Sequence, residues 1–389
     1  MPILNRIAEF HDEITAWRRD LHAHPEILFD VHRTAGIVAE KLKEFSADEV
    51  VTGVGRTGVV AVINGRTNTS GRSIGLRADM DALTIFEKTS APYASTVEGK
   101  MHACGHDGHT SMLLGAAKYL AETRNFDGRV VLIFQPAEEG GGGGKVMLDD
   151  GLLERFPVDE FYGMHNWPGL PLGHFAIRTG GIMAATDRFY ITINGQGGHA
   201  ARPQQTIDPI IVATQMVTAL QSIVSRNLSP LDNAVLSVTM IEAGEADNVI
   251  SSTAKVTGTV RTLDGKVQDF IEQRLTELVP QFAQSFGATA TIRYARGYPV
   301  TVNTADQTAF AAAVARDVVG SDRVNDDCEP SMGGEDFSFM LNERPGAYIF
   351  IGNGPSSELH TDTYDFNDDA IPVGVSYWAR LIEKALPVR

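Results

Sequence analysis

The sequence predicts an α/β protein on a mainly parallel sheet, interrupted by an inserted α+β domain. Three observations carry that expectation. Over the first 165 residues, apolar runs of strand length alternate with stretches of helical periodicity, the pattern of parallel strands joined by covering helices. Near residue 180 this gives way to longer alternating strands and two long helices. Beyond about residue 296 the first pattern resumes.

The elements follow in order. Helical periodicity covers 3–22, with Ile7, Phe10, Ile14, Trp17 and Leu21 on one side, and then 32–46. Strands are expected at 59–65 and 73–79, a helix over 110–123, and strands at 129–134 and 160–165. In the middle, RFYITINGQ (188–196) alternates like a half-buried strand, and a helix fits 206–226. Strands at 234–243 and 254–263, a helix over 265–286 and a strand at 288–295 complete the split βαβ order of a ferredoxin-like α+β domain. A helix at 304–318, the strand GAYIFIG (346–352) and a terminal helix over 370–386 close the chain. The expected division is therefore 1–183 and 296–389 for the α/β domain, with 184–295 inserted.

Composition narrows the function. Of 389 residues, 43% are hydrophobic and 21% charged, the profile of a globular protein with a full core. A net charge of −16 repels phosphate backbones, so nucleic acid is excluded as a partner. No apolar run suits a signal peptide or a membrane span, and two cysteines make no disulfide framework; the expectation is a cytoplasmic protein with no membrane partner.

Two glycine motifs mislead. GVGRTG (53–58) has dinucleotide-loop spacing but runs into VVAVI, which is strand material, so it reads as a hairpin turn. GGGGGK (140–145) has Glu139 where a phosphate loop needs its first glycine and Val146 where it needs Ser or Thr; it reads as a flexible loop.

The chemistry lies just past the strand ends, where open α/β sheets bind their ligands. Asp79 and Asp81 follow SIGLRA, Glu138 and Glu139 follow VVLIFQPA, His165 follows EFYGM, and His360 follows GAYIFIG across a short loop. MHACGHDGHT (101–110) precedes a helix at the same edge and adds Cys104 and His106. Thiol, imidazole and carboxylate together are transition-metal ligands. A cysteine nucleophile needs one histidine and an orienting group, not so many converging stretches. Gly105 lets Cys104 and His106 face one point. Of the adjacent Glu138 and Glu139, one can hold metal while the other serves as general base in metal-assisted hydrolysis, which speaks against a purely binding role. His102 and His109 read as supporting or capping groups, Cys328 as a plain thiol, and WRRDLHAHPE as structural.

RRDLHAHPE, GLRADMDAL, MHACGHDGHT, QPAEE, GMHNWP, GQGGHAARP, DNVI, GTVRTLD, GGEDFS and LHTDTYDFN together resemble, in order and almost end to end, the motifs of the di-metal aminoacylase/carboxypeptidase family of metallopeptidases. The resemblance is nearest to the amidohydrolase branch that holds hippurate hydrolases, N-acyl-amino-acid hydrolases and plant auxin-conjugate hydrolases. It implies a zinc-peptidase-like catalytic domain, and an inserted domain that serves as lid and makes a homodimer or higher homo-oligomer. It implies two divalent ions (zinc, manganese, nickel or cobalt) held by Cys104, His106, Glu139, His165 and His360, with Cys104 bridging, His106 and His165 on one ion, and Glu139 and His360 on the other. Arg77 stands where the wider family has its first histidine ligand, and Asp79 matches an acid that orients a ligand. Glu138 falls on the general base, and His199 on a histidine that reaches the partner subunit's site to stabilise the oxyanion. Asn248 and Arg261 match groups that hold the substrate carboxylate, and Gly333 and Gly334 would present backbone amides to it. The implied reaction is hydrolysis of an N-acyl amino acid, hippurate-like or N-acetylated, to a carboxylic acid and a free amino acid. A dipeptidase or an N-acetyl-diaminopimelate deacetylase would use the same centre.

Overall fold

A computed structural model describes residues 4–388. The chain forms two compact units. One runs to Ile182 and resumes over Val302–Glu329 and from Asp336 onward; the other comprises Met183–Thr301 and Pro330–Glu335.

The first unit is built on an eight-stranded sheet in the order Glu49–Val54, Gly58–Asn64, Arg129–Gln135, Ser73–Asp79, Glu160–Pro168, Gly346–Gly354, Phe175–Ala176, Val324–Asn325. The four central strands, from Arg129–Gln135 to Gly346–Gly354, are mutually parallel. Their carboxyl ends therefore lie side by side, with Asp79 opposite Gln135 and His165 opposite Phe350. The strand Ser73–Asp79 is buried along its whole length, as a central strand covered on both faces must be. The helix His106–Thr123 packs on it and on the helices His11–Ala23 and Ile371–Ala385.

Four local features differ from the sequence reading. The edge strand Glu49–Val54 lacks an apolar run because most of it faces solvent. The N-terminal helical stretch breaks at Phe10 into Asn5–Glu9 and His11–Ala23. The helix expected from Thr110 begins at His106, so His106 and His109 stand on a helix and not in a loop. GGGGGK is no flexible loop: Gly143–Asp149 is helical with Gly143 and Gly144 buried, and a Cβ on Gly143 would lie 1.6 Å from the carbonyl oxygen of Pro136. The glycines there serve close packing. GVGRTG does form a hairpin turn, between Glu49–Val54 and Gly58–Asn64.

The second unit carries a four-stranded antiparallel sheet in the order Ala234–Ala243, Thr253–Thr262, Ala185–Asn194, Thr289–Arg296. Helices Pro209–Ser222 and Gly265–Ser285 supply Val212, Met216 and Leu220, and Ile271, Leu275 and Val279, to the core that Phe189, Ile191 and Ile193 line. Each helix starts on an aspartate cap, Asp208 and Asp264, that takes a first-turn amide proton. This unit is larger than the inserted stretch drawn from sequence. Residues 297–301 stay with it because the amides of Gly297 and Tyr298 donate to Asp187 and Thr186. Pro330–Glu335 joins it through Ala184, whose amide donates to the Gly333 carbonyl. Among the described residues no helix is long and apolar enough to cross a membrane.

Candidate metal centre

The parallel strand ends bring Asp79, the Glu138–Glu139 turn, His165 and the His360 loop to one edge of the first unit. The start of the helix His106–Thr123 joins them. Gly105 makes that start possible. Its φ is +88°, and a Cβ there would lie 2.2 Å from Asn166 Oδ1 and 2.6 Å from the Tyr364 hydroxyl. The donor atoms fall into overlapping sets. Those of Cys104, His106 and His165 lie within 4.8 Å of one another, as do those of Cys104, Glu139 and His360, and those of His106, Glu138 and Glu139. His360 adopts a left-handed φ of 62° and sets Nε2 3.2 Å from Glu139 Oε1. The structure thus gathers all five ligands expected from sequence, with Glu138 beside them.

The ring orientations fit a cation. His106 Nδ1 donates to the Asp81 carbonyl at 2.7 Å, which turns Nε2 toward the other donor atoms; Nε2 is buried and has no hydrogen-bond partner. His165 Nδ1 donates to the Asn166 carbonyl at 2.6 Å and turns Nε2 toward Cys104 Sγ, 3.3 Å away. A buried imidazole nitrogen with nothing to bond is costly unless an ion takes the lone pair. Two imidazoles, a thiol and carboxylates facing one another suit a divalent transition metal.

A second ring of side chains orients the first. Asp79 accepts from Arg77 Nη1 and from His109 Nδ1, both at 2.7 Å, and lies 3.7 Å from His106 Nε2. Arg77 also donates to Gln135 Oε1 and Asp336 Oδ1, so it is a buried brace between strands. Asp81 takes the amides of Glu138 and Glu139 at 2.8 and 3.1 Å, which fixes the turn that carries both glutamates. The charges follow. Burial works against a charged His106, yet the carboxylates of Asp79 and Asp81 outweigh it and push the imidazole up to about 10. An incoming cation must displace that proton. Burial, then His109, holds His165 well below the ordinary histidine range, neutral and ready to ligate.

Of the remaining histidines of MHACGHDGHT, His109 is spoken for by Asp79 and Asn166. His102 is fully buried, belongs to no ligand set among the described residues, and is pushed down to about 3 by burial. Sequence reasoning gave no task to Arg77 beyond the missing ligand, and none to Asn166, Asp336 or Tyr364. Asp81 was visible as a second acid past a strand end, but its task as an amide acceptor was not.

The second unit holds the other expected residues. His199 sits on a two-stranded ribbon, Gly198–His199 against Val249–Ile250, and Asn248 is tied to it by the Ala200 amide. The Ala201 amide donates to His199 Nδ1 at 3.1 Å, so Nε2 carries the proton, and the ring is exposed. Arg261, on Thr253–Thr262, is half-buried; burial and then Arg188 lower its affinity for its proton. The Gly333 amide donates to Ser331 Oγ at 3.0 Å, and Gly334 packs against Thr186.

Comparison with known proteins gives the family and the fold. Residues 75–384 match the profile of peptidase family M20/M25/M40. The chain is 41% identical to a hippurate hydrolase of Campylobacter jejuni over 99% of this chain and 100% of that one. It is 39% identical to an N-acetylcysteine deacetylase of Bacillus subtilis over 96% of each. A solved Bacillus subtilis structure, described as a dinuclear metal-binding peptidase of the M20 family, superposes with a TM-score of 0.86 at 34% identity, covering 97% of this chain and 99% of that one.

Proposed function

The chain belongs to peptidase family M20/M25/M40, and from that premise we propose that it hydrolyses the amide bond of N-acyl amino acids to a carboxylic acid and a free amino acid. The observation that carries the reading is the convergence of Cys104, His106, Glu139, His165 and His360 around unpartnered imidazole nitrogen, with Glu138 next to them. The names of the relatives, hydrolases and deacetylases of acylated amino acids, support the substrate class.

Cys104 belongs to two of the ligand sets: Cys104, His106 and His165 would hold one ion, and Cys104, Glu139 and His360 the other. Two divalent ions bound there supply Lewis acidity toward the scissile carbonyl and the attacking water. Glu138 takes the proton of that water and passes it to the leaving amine nitrogen. Asp79 holds His106 and His109 in orientation. His199, with its proton on Nε2, donates to the developing oxyanion, from a second copy of the chain as the resemblance implies. Arg261 and Asn248 hold the substrate carboxylate; Arg188, on the same face of the sheet, strengthens the positive field there.

A homodimer through the second unit completes the reading. The edge strand Ala234–Ala243 leaves Met240 and Ile241 about half exposed, and the helix Pro209–Ser222 leaves Ile210 and Ile211 exposed. An unpaired apolar edge of that length calls for a second strand. A reducing compartment keeps a thiolate ligand intact, so we place the protein in the cytoplasm.

The test is metal analysis of the purified chain, then reconstitution with zinc, manganese, nickel or cobalt. Each form is assayed on hippurate, acetylated amino acids, N-acetyl-diaminopimelate and dipeptides. Two ions per chain and turnover of acylated amino acids are expected. Turnover by a fully stripped chain would overturn the metal reading, and a preference for dipeptides would overturn the substrate class.

A further inference from the structure

Behind the metal centre lies a second buried polar cluster that the reaction does not use. Arg18 and His22, one turn apart on the helix His11–Ala23, are both 0% exposed. They face two different segments. His22 Nδ1 lies 2.8 Å from Oδ2 of Asp107, the residue next to His106 on the first turn of its helix. His22 Nε2 lies 3.3 Å from Glu87 Oε1, and Glu87 in turn accepts the Ser95 amide and the Thr89 hydroxyl. Arg18 Nε donates to Asp368 Oδ1 at 2.7 Å, and Nη1 lies 3.5 Å from Asp107 and 3.6 Å from Asp365. The guanidinium lies over the Tyr93 ring at 4.4 Å, and the Tyr93 hydroxyl donates to Asp365 Oδ2 at 2.7 Å. Asp365 and Asp368 close the segment that begins at His360, whose amide donates to the Ala103 carbonyl at 2.8 Å.

We propose that Arg18 and His22 are positioning residues that hold the two ligand-bearing segments, His22 reaching only the first and Arg18 chiefly the second. His22, through Asp107, sets the Cys104–His106 turn. Arg18, through Asp368, sets the His360 segment. The inference rests on the assignment of ligands to ions given above. Desolvated ion pairs stabilise a fold poorly compared with apolar packing, so a cluster of this size is an inefficient way to hold a core together. It is an efficient way to fix direction, because every bond in it has a preferred angle. The neighbouring His102 fits the same logic: its ring centre is 6.3 Å from that of His22, and as a neutral imidazole it adds no competing charge.

The experiment is zinc binding by equilibrium dialysis to the full chain and its variants, with kcat and KM measured at saturating zinc. Loss of an outer partner of a metal ligand typically weakens binding by about 10–100-fold. His22→Ala is expected to weaken one of the two ions by that factor, with a smaller loss of kcat at saturating zinc. His22→Asn, whose amide nitrogen stands where Nδ1 was, should recover most of the affinity. His22→Gln, which reaches Glu87 instead, should not. Asp368→Asn should weaken the other ion. Wild-type affinity for both ions in His22→Ala and in Asp368→Asn, or equal rescue by Asn and Gln, would overturn the proposal. If His22→Ala fails to fold by circular dichroism, Asp368→Asn at the partly exposed end of the cluster decides alone. A wild-type chain that binds no zinc would sink the metal reading itself, whereas two tightly bound ions in every variant would sink only this inference.

Discussion

The two units deploy their polar groups in opposite ways. In the first, Asp79, Asp81, His106, His109 and His165 are at most 4% exposed and are interlocked by short hydrogen bonds. In the second, His199 and Asn248 sit exposed at a two-stranded ribbon, where the Asn248 carbonyl accepts the Ala200 amide. The first unit builds its geometry in advance, at the cost of burying charge. The second keeps His199 and Asn248 exposed to water. The difference teaches where the rate should be sensitive: to any change of charge in the first unit, and to completeness of assembly in the second.

The largest effect should come from removing the ions. Chelation is expected to bring activity to background and to raise hydrogen exchange in the segments around Cys104, Glu138 and His360, while the sheet of the second unit keeps its protection. A ligand present at a thousand times its Kd adds about 4 kcal/mol of stability, so the exchange should rise steeply. If the second unit loosens equally, the contrast between the units is wrong.

Next comes Glu138→Gln. It keeps the shape of the turn, because Asp81 bonds the backbone amide at this position and not the side chain. Metal content should stay at the wild-type value while kcat falls by about a hundred- to ten-thousand-fold. A variant with near-normal kcat removes Glu138 from the reaction. His199→Ala tests the other unit. Loss of one oxyanion donor costs about a hundred- to a thousand-fold in kcat, with little change in KM. If His199 acts across a dimer, mixing this variant with Glu138→Gln should restore part of the activity, since one of the two sites in a mixed dimer has both residues intact. No restoration at any mixing ratio argues for a site within one chain.

These expectations show what could be read before folding. Glu139, His165 and His360 were legible because each follows an apolar run, and the end of a parallel strand is where such a residue has a place to act; Cys104 was legible from its place beside histidines just ahead of a helix at that edge. The helix start at His106 was not, because GHDG looks like a turn until Gly105 is seen to cap a helix in left-handed conformation. The brace from Arg77 to Asp336 spans 259 positions, and nothing local announces a pairing of that range. The Arg18–His22 cluster did leave a signal. Both residues share the helix face of Ile14, Trp17 and Leu21, where a cation has no reason to be unless anions meet it.

The smallest effect concerns that cluster and runs with pH. Burial disfavours a charged His22, but the hydrogen bonds to Asp107 and Glu87 outweigh it and hold the ring at about 9 instead of 6.5. The folded chain therefore binds this proton more tightly than the unfolded chain does. The stabilisation is complete below about 6.5, declines as the pH rises, and is gone above about 9. Asp107 moves the other way, held low by His22 in spite of burial, so it stays ionised throughout that window. A histidine shift of this size is worth roughly 3 kcal/mol as an upper bound. Unfolding of the zinc-loaded protein in urea, repeated from pH 6.5 to 9.5, should show stability falling by a few kcal/mol in the transition that reports the first unit. His22→Asn should flatten that slope, since it keeps the bond to Asp107 and removes the titrating group. An unchanged slope in His22→Asn would mean that another group in the first unit carries the pH dependence.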